Sequence, residues 1–168
     1  MGKVPKRVLP YRVLETGLED LLLAISENYL KQLEEEHRER DLKEDRARKY
    51  ASRRNGLVLD VGTGLRFWEP SRGDVNVDIG IPYPKKQNFV RASAEALPFR
   101  DRAFSSVLLF HILEHIPNPS KGISEAKRVG ERVYVCLPKS RGLRTWFHSG
   151  HRWIPMRGNF YPNPLYKE

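Results

Sequence analysis

A single cysteine, Cys136, occurs in 168 residues, which excludes an intramolecular disulfide and argues against a cysteine-built metal centre. Long apolar runs are missing as well: the longest, Leu21 to Ile25, is five residues, far below the ~20 that a membrane span needs. No membrane partner is expected, and the expected location is cytoplasmic. Acidic residues are scarce at one end. Residues 139–168 carry one against six Lys and Arg, whereas residues 1–54 carry 11 against 13 and residues 55–138 carry 9 against 11. The net charge of +9 is therefore concentrated in a tail that also holds six of the 17 aromatic residues. Cations interleaved with aromatics suit nucleic acid, which offers phosphates to the first and base faces to the second. The plainer alternative is a tail whose aromatics pack it onto the domain while its arginines stay solvated.

With 39% hydrophobic residues, the chain can bury a core, and its length is that of about one domain. Neither proline nor a second glycine interrupts the stretch from Gly17 to Ser52. Leu18, Leu21, Leu22, Ile25, Tyr29 and Leu33 recur there at helical spacing, so one long helix, or two in succession, is expected, with Thr16 a candidate cap. Beyond Leu33 the apolar stripe thins. Acid-first i,i+4 pairs such as Glu39/Lys43 and Glu44/Arg48 take over, which reads as a solvated face or as a surface that holds a second subunit.

After residue 55 come short apolar runs: Leu57–Val61, Val75–Asp78, Asn88–Arg91, Ser105–Phe110 and Arg132–Leu137. They are mostly continuous, as in strands covered on both faces, and the expected fold class is α/β with a mainly parallel, doubly wound sheet in a three-layer sandwich. Three segments are expected: an N-terminal helical extension over 1–54, a core over 55–138, and a basic aromatic segment over 139–168 that completes the same domain with a shortened end. In that last segment Trp153-Ile154 and Phe160-Tyr161, around Arg157-Gly158-Asn159, suit a reduced hairpin.

The first run leads into Asp60-Val61-Gly62-Thr63-Gly64, a strand entering a glycine turn. Ligands of open parallel sheets bind at the carboxyl ends of strands, and glycine lets them approach the backbone. Sixteen residues after Gly62, the second run ends in Asp78, whose carboxylate can accept both hydroxyls of a ribose. A dinucleotide fingerprint would need glycine where Phe67 stands, and no P-loop Gly-Lys-Ser/Thr follows.

This series resembles the class I S-adenosylmethionine-dependent methyltransferases, in particular the broad group sometimes called type 11. The resemblance covers half the chain. It runs through Leu59 to Gly64, Val77-Asp78, Ala94 to Phe99, Phe104 to Val107, Ile112 to Ile116, and Glu125 with Arg128-Val129. It implies a Rossmann-like sheet of the seven-stranded type, S-adenosylmethionine as cofactor, and transfer of its methyl group to an acceptor. Carried over by position, Gly62, Thr63 and Gly64 form the turn against which the methionyl part lies. Asp60 positions its amino group, and Asp78 holds the ribose diol. Ala94 and Glu95 meet the adenine edge, with Ser93 where relatives often have aspartate. His111 faces the methionyl or methyl region. Catalytic candidates are His111, Glu114 and His115, whose plainer role is to orient their turn. Three positions depart from the family pattern: Ser93, Ser105 in place of an aspartate, and Arg66 in place of a third glycine. Arg66 either crowds the turn or pairs with the cofactor carboxylate.

Methyl transfer asks for alignment and exclusion of water rather than a nucleophile. Cys136 accordingly reads as core. His148 and His151 have no thiol or acid near them in the sequence, so no metal site is expected. RNA or another macromolecule stands slightly ahead of a small metabolite as acceptor. The competing reading is a non-catalytic partner subunit, or homodimer, that binds nucleic acid or a catalytic chain through the long helix and basic tail.

Overall fold

In the β-strand β4, Ser106–Phe110, every residue is buried, and its side chains separate by alternation into two apolar layers. Val107 and Leu109 enter one cluster with Leu59, Val61, Val77 and Ala126, while Leu108 and Phe110 enter another with Val58, Ala51 and Cys136. A strand with period-2 side chains and apolar contacts on both faces requires cover on both faces. Each fully buried Leu or Phe contributes roughly 1.5–3 kcal/mol to that arrangement.

The computed structural model describes residues 16–53, 55–64, 72–81, 87–139, 145 and 150–166, the side chains of 16–26 and 28 excepted. Strands β1 (Val58–Val61), β2 (Val75–Asp78), β3 (Phe89–Arg91), β4 and β5 (Val133–Cys136) form one sheet in the order β3-β2-β1-β4-β5. Every neighbour pair is parallel. Helix α1 spans Thr16–Ser52 without a break. The chain separates into units 1–37 and 38–168, so residues 38–52 of α1 belong with the sheet and the extension expected over 1–54 divides inside the helix. Glu44, Ala47, Arg48 and Ala51, the partly or fully buried positions of that stretch, form an i, i+3, i+4, i+7 stripe. Ala47 and Ala51 pack on the Val58–Leu108–Phe110 layer. The face expected to be solvated is thus half committed to the sheet, and its small contact residues hide it from a hydrophobic-pattern reading. No described helix is long and apolar enough to cross a membrane.

Helix α2, Pro119–Val129, covers the other face. Asn118 caps it by accepting from Lys121 N at 3.0 Å, Pro119 occupies the first turn, and Gly122, Ala126 and Val129 are buried. The resemblance implied a seven-stranded-type sheet. Among the described residues the main sheet has five strands, and β6 (Trp153–Met156) pairs antiparallel with β7 (Asn159–Pro162) in a separate two-stranded sheet. Its loop, Arg157 and Gly158, has positive φ at both residues, 49° and 81°, as a tight type I′ hairpin requires. The hairpin docks on the turn after β4, where Arg152 N and Trp153 N donate to Glu114 O at 2.8 and 3.2 Å and Trp153 Nε1 donates to Ile116 O at 2.9 Å.

Arg128 braces the loop after β3. It donates to both oxygens of Glu125 at 2.8 Å and to the carbonyls of Leu97 and Phe99 at 2.9 and 2.8 Å, while Glu125 Oε2 accepts from Leu97 N at 2.9 Å. The guanidinium draws the Glu125 carboxyl from the ordinary 4.5 to about 2, the Leu97 N–H adding to the effect and burial opposing it. A lowered folded-state value stabilises fully above the unfolded value and is lost as pH falls. Glu125→Gln is therefore expected to be less stable than the natural chain at neutral pH, and the gap to close as pH drops from 4.5 towards 2. Urea unfolding along that range tests it, and a gap that stays constant would remove ionised Glu125 as its source.

Candidate active site

The strand order reverses between β1 and β4, and the residues expected to meet a cofactor gather at the carboxyl ends of these strands and of β2 and β3. Beyond β1, Gly62 and Gly64 adopt φ of 77° and 76°, a region where side chains are strained. At Gly62 a Cβ would also lie 2.8 Å from the Ile112 side chain. Gly62 N and Thr63 N donate to Val77 O at 2.8 and 3.2 Å, which holds the turn against β2. Thr63 is buried, its hydroxyl 3.4 Å from Asn76 Oδ1, so its side chain braces the turn from within. Asp78 faces the same turn: Oδ2 accepts from Gly64 N and Oδ1 from Gly80 N, both at 3.0 Å.

Period-2 alternation sends Asp60 to the α1 side of the sheet, where it is fully buried. Oδ2 accepts from Arg72 Nε at 3.2 Å, whereas Oδ1 has no hydrogen-bond partner. Arg72 also donates to Gly62 O at 3.3 Å and to Glu44 Oε2 at 3.0 Å, and its guanidinium lies 5.5 Å from the centre of the Phe110 ring. Glu44 Oε1 in turn lies 3.5 Å from Nε2 of His111. His111 has φ of 53°, and its Nδ1 is 3.4 Å from Glu114 Oε1. Burial pushes this imidazole down, but its contacts with Cys136 and Glu114 outweigh burial and raise it to about 9. It is cationic at neutral pH. Three carboxylates, Asp60, Glu44 and Glu114, thus meet two cations, Arg72 and His111.

The residues after β3 have other partners. Ser93 Oγ accepts from Glu95 N at 3.1 Å, Ala94 is buried in the α2-side core, and Glu95 Oε1 accepts from Asn118 N at 2.5 Å, which fixes the start of α2. Ser105 sits at the opposite, amino-terminal edge, where its hydroxyl donates to Leu57 O at 3.1 Å. It has no place at the cofactor edge, so its departure from the family pattern carries no weight there. Arg66 and His148 lie outside the described residues. Cys136 is buried, as a core residue should be.

Local spacing does not reveal Glu44 or Arg72. The signal available for the first is the Ala47/Ala51 pair one turn further on, which marks the inner stripe of α1. His115 and His151 come together with ring centres 4.8 Å apart, and the acidic neighbour that the sequence does not show near His151 is supplied by the fold as Glu114.

Residues 75–132 match the family model described as "Methyltransferase domain". An uncharacterized protein of Methanocaldococcus jannaschii is 40% identical over 82 residues, covering 46% of this chain and 40% of that protein. An uncharacterized methyltransferase of Mycobacterium leprae is 34% identical over 87 residues, covering 44% of this chain and 32% of its own length. The matches thus span less than half of either relative. A Thermotoga maritima crystal structure, titled as a SAM-dependent methyltransferase and possible histamine N-methyltransferase, overlaps with a TM-score of 0.41 at 18% identity, covering 64% of this chain and 59% of that one. The matched segment, residues 75–132, supports the resemblance to the S-adenosylmethionine-dependent methyltransferases read from the sequence, and the strand order and the glycine turn agree with it.

Removing Arg72 leaves the buried Asp60 without its cation, a loss of roughly 3–5 kcal/mol. Arg72→Met is expected to lower the urea midpoint accordingly, and adding Asp60→Asn to recover part of the loss. A double-mutant cycle checks this, and strictly additive losses would show that the two side chains do not act as a pair.

Proposed function

We propose that this chain is a methyltransferase that uses S-adenosylmethionine. The observation that carries the reading is the buried Asp60 Oδ1, an acceptor without a donor, beside a turn of two positive-φ glycines that faces the Asp78 carboxylate. The cofactor fits this donor and acceptor set. Its amino group offers N–H to Asp60 Oδ1, and its ribose diol offers two O–H groups to Asp78, whose oxygens each retain a lone pair beyond the one used by Gly64 or Gly80. The excess of carboxylates over cations at this edge suits a ligand that carries positive charge.

The bound cofactor supplies a methyl group already activated on a sulfonium. The chain has to bind, orient and keep out water. Gly62, with Ile112 packed on it, leaves no room for solvent on that side of the turn. His111, cationic at neutral pH, is a hydrogen-bond donor there and not a base. Asp78→Asn keeps the shape but weakens a charged acceptor, for which about 1.5–3 kcal/mol is typical. A loss of roughly tenfold to a hundredfold in S-adenosylmethionine affinity is therefore expected by calorimetry, with the far-UV spectrum unchanged. Unaltered affinity would exclude Asp78 as the ribose ligand.

For the acceptor we favour RNA. Support comes from the basic excess of residues 139–168 and from a cleft of about 500 Å³ walled by Trp153 and Phe160 and edged by Asn118 and Asn159, a size and lining suited to stacking a base. RNA retention is expected to fall steeply with salt and to weaken in Trp153→Ala, by about 1–3 kcal/mol for one lost stack. Retention indifferent to both would leave a small metabolite as the acceptor.

A methyltransferase-like partner subunit that binds no cofactor is the second reading. The Arg72 fork, already extended across Asp60, Gly62 O and Glu44, favours it. If millimolar S-adenosylmethionine produces neither heat nor thermal stabilisation of the natural chain, this second reading replaces the first.

A further inference from the structure

Glu114, His115 and His151 converge where the turn after β4 meets the segment leading into β6. Each presents one ligand atom, and these atoms all lie within 4.8 Å of one another. We propose that the three side chains bind a divalent transition-metal ion.

The carboxylate is the first reason. Glu114 is fully buried, and neither of its oxygens has a hydrogen-bond partner. His111 Nδ1 stands 3.4 Å from Oε1, an ion-pair contact that falls outside hydrogen-bond geometry and does not reach Oε2. A carboxylate taken out of water needs partners for its lone pairs or a metal, and a doubly charged ion serves both oxygens where the His111 contact serves only Oε1.

The imidazoles are the second. Nδ1 of His115 lies 2.7 Å from Gly150 O, and Nδ1 of His151 lies 3.0 Å from Thr145 O. A carbonyl accepts only, so each Nδ1 carries the hydrogen, and in the neutral ring Nε2 then carries the lone pair. Ring nitrogens of metal-bound histidines are held this way by backbone carbonyls. The supports are themselves fixed: Thr145 Oγ1 donates to Lys139 O at 2.6 Å, and His151 O accepts from Asn163 Nδ2 at 2.9 Å.

Geometry is the third. Metal–ligand distances of about 2.0–2.2 Å place tetrahedral donors about 3.4 Å apart, so drawing the widest pair in from 4.8 Å takes about 1.4 Å shared between two side chains, a rotamer-scale adjustment. Two imidazoles and one carboxylate select zinc, manganese, iron(II) or cobalt over calcium and magnesium, which prefer all-oxygen shells. Three protein ligands leave a coordination position for water or another oxygen donor. Because Arg152 N and Trp153 N already bond to Glu114 O, the ion would also fasten the hairpin to the core.

The test uses the full chain, freed of metal by a chelator and titrated with cobalt(II), zinc(II) or manganese(II) alone, without S-adenosylmethionine, so its outcome is independent of the proposed activity. Stoichiometric uptake, a cobalt visible spectrum of nitrogen and oxygen ligation and a higher melting temperature are expected. Glu114→Gln and His151→Asn are each expected to weaken uptake by about a hundredfold or more, at least as much as loss of an outer-shell partner. Absence of uptake by the natural chain, or uptake unchanged in both variants, overturns the proposal. If a variant fails to fold, X-ray absorption of the zinc-loaded natural chain decides: two imidazole ligands support the site, and a shell without imidazole overturns it.

Discussion

A carboxylate buried at the end of a central strand is the constraint around which the carboxyl edge of this sheet is arranged. Asp60 cannot be solvated, because Val58, Leu108 and Phe110 close the layer it projects into. Its charge is held by Arg72 alone among the described side chains that bond to it, and Arg72 is anchored at its other end by Glu44. The register of α1 on the sheet follows. Glu44 has to reach the guanidinium while Ala47 and Ala51, one and two turns on, allow the helix to approach closely enough for it to do so. The same guanidinium bonds to Gly62 O, so the conformation of the glycine turn and the seating of the helix depend on one side chain.

Strands β1 to β5 were legible because two-sided burial leaves a direct trace, a run of apolar residues too short for a helix and closed by turn residues. Each observed strand lies inside its expected run. The hairpin was legible because Arg157-Gly158 supplies the left-handed pair that joins antiparallel strands. Glu44 was not, since an acid four residues before Arg48 reads as half of a surface ion pair. Local spacing carries no information on which side of a helix a distant strand will occupy. Ser105 departs from the family aspartate in sequence, and only the fold shows that the position stands before β4 at the other edge, where it bonds to Leu57 O. His151 was set aside for want of an acidic neighbour that only the fold provides.

The turn after β4 joins the two halves of the candidate site. His111 ends the strand in a left-handed conformation, and Ile112 immediately after it fills the space over Gly62. Glu114 then accepts the backbone of the hairpin with its carbonyl while its side chain stays buried. Four residues, His111 to Glu114, therefore connect the glycine turn, the α1 carboxylate and the last strands. The Glu114 and Ile116 carbonyls accept from the hairpin backbone and from Trp153 Nε1, and Phe160 packs against the core.

Charge completes the argument. Asp60, Glu44 and Glu114 contribute three carboxylates to a region where Arg72 and His111 supply two cations, and the unmatched acceptors lie at its two ends: Oδ1 of Asp60 beside the glycine turn and both oxygens of Glu114 beside the histidines. A buried anion without a donor is costly, and two such points would destabilise a protein that had no use for them. Both become favourable when a positively charged group arrives, an ammonium at the first and a metal ion at the second. On the two proposals made above, the excess of negative charge at one edge of an otherwise basic chain would be a recognition feature, its cost to folding stability offset by the cations bound there.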